Sequence, residues 1–237
     1  MIDLQQQTSS AHVGIHDGLP PLDAVRVGTL LDAAGDSALN CVRRSTVFRR
    51  MGDGTLPFAG RAAYLEQHWE GLRILHSALS TAGLPADAVD AVSRASLCSA
   101  LSGAIEQFSG ALDRAHATAR WRDRHVTMPS MLQFRRHIAE LQDSGDVIGL
   151  VAHTYLRLLV SRACPAPGVA GREPEELQSA VAAVVRDEES LELLSEELSV
   201  ALLLLMQHGA DVCRGYQERD ADSSCAVTVS TIRRALR

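Results

Sequence analysis

From residue 22 to residue 48, apolar side chains recur at helical spacing: Val27, Leu30, Leu31 and Ala34, then Ala38, Leu39 and Val42. That period predicts an amphipathic helix with one buried stripe. Gly35-Asp36 inside the run marks either a break or a point of close packing, and Gly52-Asp53-Gly54 is a turn signal. A second long helix is predicted over 60–81, with Tyr64, Leu65, His68, Leu72, Leu75, His76 and Leu79 along one stripe and Gly83-Leu84-Pro85 as its stop. Residues 87–112 read as a further helix or pair of helices, rich in Ala and Ser, which lets helices approach closely.

Met128-Pro129-Ser130 sets up the start of a helix over 131–143, and Ser144-Gly145-Asp146 separates it from a helix over 147–163. Pro174-Glu175-Glu176 has the form of a first turn, with proline where a missing N–H is tolerated and acids at the positive dipole end. The last long helix is predicted over 191–216. No run alternates with strand period long enough to build a sheet, and no internal repeat is present. The expected fold is all-α, a single multihelical domain over 22–216, flanked by a flexible N-terminal tail (1–21) and a C-terminal tail (217–237).

Composition narrows the function classes. A chain of 237 residues with 46% hydrophobic content can bury a full core as one domain. Its longest apolar run, 200–206, is far too short for a bilayer, and residues 1–7 lack the basic and apolar regions of a secretory signal, so a cytoplasmic protein without a membrane partner is expected. A net charge of -6 argues against nucleic acid, and the arginines of 114–124 and Arg135-Arg136 read as solvated helix faces. All of the cationic side chains are arginine and none is lysine. The five cysteines, 41, 98, 164, 213 and 225, form no C-x-x-C pair and are odd in number, which supports neither a zinc knuckle nor a disulfide framework; most are expected to be buried thiols.

One stretch carries a family likeness. Val151-Ala152-His153-Thr154-Tyr155-Leu156-Arg157-Leu158-Leu159 resembles the start of the distal helix of heme oxygenases. Phe48-Arg49-Arg50-Met51, Ala62-Ala63-Tyr64-Leu65, residues 72–79, and Phe134-Arg135-Arg136 to Leu141 follow the same family order; together the blocks span about 30–159, with a weaker match over 191–213. The resemblance implies a heme-oxygenase-like helical domain, with heme as the one candidate cofactor.

The residues that would do the chemistry are replaced. The family's axial histidine falls eight residues before the position matched to Phe48, which is Asn40 here, or Leu39 or Cys41 with a one-residue slip. Cys41 is read first as a buried structural thiol, and second as a thiolate ligand whose pKa Arg43 or Arg44 would depress. After Leu159 the family runs through a G-D-L-S-G-G bend that lets the helix pass close over the heme. Val160, Cys164 and Pro165 stand in for its glycines and Ser161 for its aspartate. Where the family clamps propionates with cations, this chain has Glu175-Glu176, with Arg172 or Arg186 as substitutes only under a different loop alignment. Tyr155 and Arg157 match pocket residues and are read as scaffold, Tyr155 packing between helices and Arg157 pairing with a carboxylate; His153 is read as an interhelical hydrogen-bonded histidine.

Asn40, Cys41, Tyr155, Arg157, Ser161 and Cys164 are therefore the positions matched to the family's heme pocket. The expected function is that of a catalytically degenerate heme-oxygenase-like protein that binds a tetrapyrrole-like ligand or a protein partner. The alternative is an active enzyme that opens heme to biliverdin, iron and carbon monoxide with a substitute axial ligand. A third reading, a thiaminase-like or di-iron enzyme, lacks its sequence signature. Glu66 and His68 do not have Glu-x-x-His spacing, Glu106 has no such histidine, Cys98 and Cys164 have no adjacent base, and the acids of 188–197 read as a solvated face. No metal ligand is expected.

Overall fold

The computed structural model describes residues 24–81, 91–116, 120–164 and 174–217. Among them the chain forms α1 (Ala24–Arg44), α2 (Thr46–Gly52), α3 (Phe58–Ser80), α4 (Ala91–Ala115), α5 (Trp121–Arg124), α6 (Pro129–Ser144), α7 (Val147–Ala163), α8 (Pro174–Ala182) and α9 (Glu188–Gly215). No strand occurs among the described residues, and the expected all-α class holds. The expected tails lie outside the described residues apart from Gln217, as does the Gly83-Leu84-Pro85 stop.

Local chemistry accounts for the helix ends. Pro129 opens α6, and Gly145 closes it in the left-handed conformation (φ 72°) that a residue without a Cβ adopts freely. Asp146 then caps α7 by accepting from the Gly149 N–H at 2.9 Å. Asp187 and Ser190 form a reciprocal capping box at the start of α9, which begins at Glu188 rather than 191. The run predicted as one helix over 22–48 is two, because Ser45 caps a new helix by accepting from Phe48 N. Gly35 does not break α1; it is a packing point. Helix α5 was not legible in the pattern, and it is anchored by the buried Trp121, whose indole N–H donates to Asp113 at 2.8 Å.

Helix α7 is the centre of the bundle. Residues 149–161 are buried without interruption, and the helix packs against α1, α3, α4, α6, α8 and α9. A helix apolar around most of its circumference belongs in the middle of a core. Its partner α9 is tied down near its C-terminal end: Arg50 of α2 donates to the Tyr216 carbonyl at 2.9 Å, where a cation faces the negative dipole end. Asp211 of α9 accepts from Ser130 N at 2.8 Å, which caps α6 from a distant part of the chain.

Candidate functional site

Five polar side chains lie buried on α7, and each has a specific partner. Thr154 and Ser161 bond back to the carbonyls of Leu150 and Arg157, at 2.8 and 2.6 Å, which satisfies them within the helix. Tyr155 donates its hydroxyl to the Leu31 carbonyl of α1 at 3.0 Å. It reaches that backbone because Gly35, one turn further on, has no side chain: a Cβ there would stand 3.1 Å from the Tyr155 oxygen and 2.9 Å from Leu159 Cδ2. Burial pushes the Tyr155 phenol above its ordinary pKa.

This contact involves Tyr155, one of the positions matched to the family's heme pocket. Helices α1 and α7 touch directly at Gly35, Tyr155 and Leu159. Asn40 and Cys41 are exposed on α1, and Cys41 is not the buried structural thiol expected of it. Cys98 and Cys213 are half-buried, and Cys164 alone of the described cysteines is buried, where loss of water pushes its thiol up to about 12. Cys225, Pro165 and Arg172 lie outside the described residues. Ser161 is spent on its own helix, and Gln178 of α8 ties down to Asp32 of α1 at 2.6 Å.

Arg157 does not pair with a carboxylate. Its side chain is 1% exposed, with the guanidinium 4.3 Å over the Phe134 ring, donating to His208 Nδ1 at 3.3 Å and to the Gln67 carbonyl at 3.5 Å. Burial lowers its pKa, though arginine stays the cation at any physiological pH. The same burial, with Arg157 nearby, pulls His68 down to about 3 and His208 well below the ordinary histidine value, so both are neutral.

A second polar cluster lines a groove between α3 and α6. Glu70 there faces His125 at 3.3 Å, Arg135, and Thr127 at 3.2 Å. Burial raises the Glu70 carboxyl, but the hydrogen bond from His125 and the Arg135 charge outweigh it and hold the group below its ordinary pKa. His125 is raised in return, chiefly by its bond to Glu70. The groove encloses about 350 Å³ and is lined by Glu70, Arg73, Ser77, His125, Arg135 and Gln142 among others. One turn away on α3, Glu66 lies 2.9 Å from His116; burial lifts the carboxyl to about 7 and depresses the imidazole, which favours a neutral pair. The arginines read as solvated faces are partly engaged, Arg135 with Glu70 and Arg122 with Asp113 at 2.8 Å.

The third cluster joins three helices. His137 of α6 and His153 of α7 both point Nε2 at one oxygen of Glu197 on α9, at 3.0 and 3.2 Å. His153 is the interhelical hydrogen-bonded histidine expected from sequence. Glu197 departs from the expected solvated face, because its side chain is only 16% exposed and is turned inward to the two rings. The hydrogen bond from His153 leads in holding Glu197 below the ordinary carboxylate value, and burial keeps His153 low.

No family model and no curated protein matches the chain. Of the clustered residues, Glu70, Glu66, His137 and Glu197 had no signal in the sequence: their partners lie 44 to 65 positions away in the cases of Glu70–Arg135, His137–Glu197 and His153–Glu197.

Proposed function

We propose that this chain is a heme-oxygenase-like protein that has given up heme turnover and acts by binding a ligand or a protein partner. The family likeness rests on the order of the sequence blocks around Val151–Leu159 and is compatible with the all-α arrangement. The single observation that carries the loss of turnover is the direct contact of α1 with α7 at Gly35, where Tyr155 and Leu159 fill the space a porphyrin would need. Asn40 and Cys41 sit on the outside of α1, Ser161 is bonded to its own helix, and no imidazole of α1 is available as axial ligand.

A hemin titration tests this reading. The purified chain is expected to leave the Soret band of free hemin unshifted. A sharp one-to-one Soret shift that disappears in Cys41→Ala would overturn it and restore the oxygenase reading with a thiolate ligand.

A further inference from the structure

We propose that His137, His153 and Glu197 form a binding site for one divalent transition-metal ion of the zinc, cobalt or iron(II) class. Two imidazoles and a carboxylate are a ligand set suited to these ions and poorly suited to calcium or magnesium, which take oxygen ligands. The ligand atoms all lie within 4.8 Å of one another, and the two Nε2 atoms stand 3.0 and 3.2 Å from the shared Glu197 oxygen. Ligand atoms held at ~2.1 Å around a tetrahedral ion are roughly 3.4 Å apart, so small side-chain rotations suffice to seat one.

The placement supports a built site. Each ligand comes from a different helix, and α6, α7 and α9 pack pairwise against one another, so the geometry is fixed by the core and not by a loop. His153 is 1% exposed and braced by Phe134, with ring centroids 5.6 Å apart, while His137 is 24% exposed. The buried ligand supplies rigidity, and the open side at His137 supplies an entry path and a position for water as fourth ligand. Without the ion, the carboxylate oxygen accepts an N–H from each ring. With it, each neutral imidazole turns its Nε2 lone pair inward by moving its proton to Nδ1. The site shares no residue with the α1–α7 contact at Gly35, Tyr155 and Leu159, and does not depend on the heme question.

The test uses the full chain, stripped with a chelator and dialysed, then titrated with Co²⁺ under visible spectroscopy and with Zn²⁺ by calorimetry. One ion per chain is expected, with tetrahedral or five-coordinate d–d bands. His137→Ala and Glu197→Gln are each expected to weaken binding roughly a hundredfold or more, since loss even of an outer-shell partner costs 10–100-fold. His137 is partly exposed, so its variant keeps the test informative even if His153→Ala fails to fold. The double variant His12→Ala, His16→Ala is expected to bind like the parent. Absence of d–d bands at millimolar Co²⁺, or undiminished binding in folded His137→Ala and Glu197→Gln, would overturn the site.

Discussion

The guanidinium of Arg157 occupies the space that a side chain on Gly71 would need: a Cβ there would stand 2.2 Å from Nη1 and 2.4 Å from Cζ. Helix α3 thus offers a glycine notch to the one buried arginine of α7. The guanidinium cannot simply swing aside, because Phe134 lies beneath it and His208 and the Gln67 carbonyl hold its nitrogens.

Gly71→Ala should therefore destabilise the protein. Alanine gains about 1 kcal/mol over glycine in a helix interior, while overpacking a core costs about 1–3 kcal/mol, and the closeness of the clash puts this site at the upper end. A net loss of about 1–2 kcal/mol is expected in urea unfolding. Adding Arg157→Met, which withdraws the clashing group and a buried charge, should recover most of it. A double variant no more stable than Gly71→Ala would show that the notch is not what limits the site.

Glu66 sets a pH dependence of its own. Its folded pKa is raised to about 7 from an ordinary 4.5, chiefly by burial. The folded state then binds the proton more tightly than the unfolded chain, so the contribution is present below pH 4.5 and is lost as pH rises through about 7. Glu66→Gln, which mimics the protonated acid, should be near neutral at pH 4.5 and stabilising by about 1–3 kcal/mol at pH 8. Melting curves at the two pH values check this; an equal effect at both would mean that Glu66 stays ionised against His116.

The thiols should separate cleanly by reactivity. Cys41 is exposed, whereas Cys164 is buried with its pKa pushed up to about 12 from 9. At pH 8 that shift cuts the thiolate fraction by about a thousandfold, and the thiolate is the reactive form. Iodoacetamide labelling mapped by mass spectrometry should mark Cys41 early and Cys164 only after denaturant is added. Early modification of Cys164 in the native state would contradict its burial.

Helical period was enough to find α3, α6 and α7 within a few residues, because each has strong end signals: Ser80 precedes a glycine and proline, Pro129 and Gly145 bracket α6, and Asp146 starts α7. The split at Ser45 was missed because a lone serine inside an apolar period costs a helix only a little and so does not by itself mark a break; only the bond to Phe48 N makes it a cap. The clusters were less visible still. Arg157 was expected beside a carboxylate on general grounds of charge burial; the chain instead uses an aromatic ring, a neutral histidine and a carbonyl, which sequence spacing does not reveal. Glu197 stands in a run of acids that looks solvated, and only the rotation of α9 against α6 and α7 singles it out.

Asp211 carries the same lesson into stability. Helix α6 has Met128 before its first residue, and methionine offers no side-chain cap. Asp211 of α9 supplies one from across the bundle by accepting from Ser130 N at 2.8 Å, in a buried setting where an anion also meets the positive end of the helix. Removing an N-cap costs about 0.5–2 kcal/mol, and a hydrogen bond to a charged group contributes about 1.5–3 kcal/mol. Asp211→Ala should thus cost about 2 kcal/mol, and Asp211→Asn, which still accepts a bond but carries no charge, clearly less. Because the same residue joins α6 to α9, hydrogen exchange should quicken at the Ser130 amide and the first turn of α6 in Asp211→Ala while α3 stays protected. Uniform loss of protection across all helices would instead assign Asp211 to global stability alone.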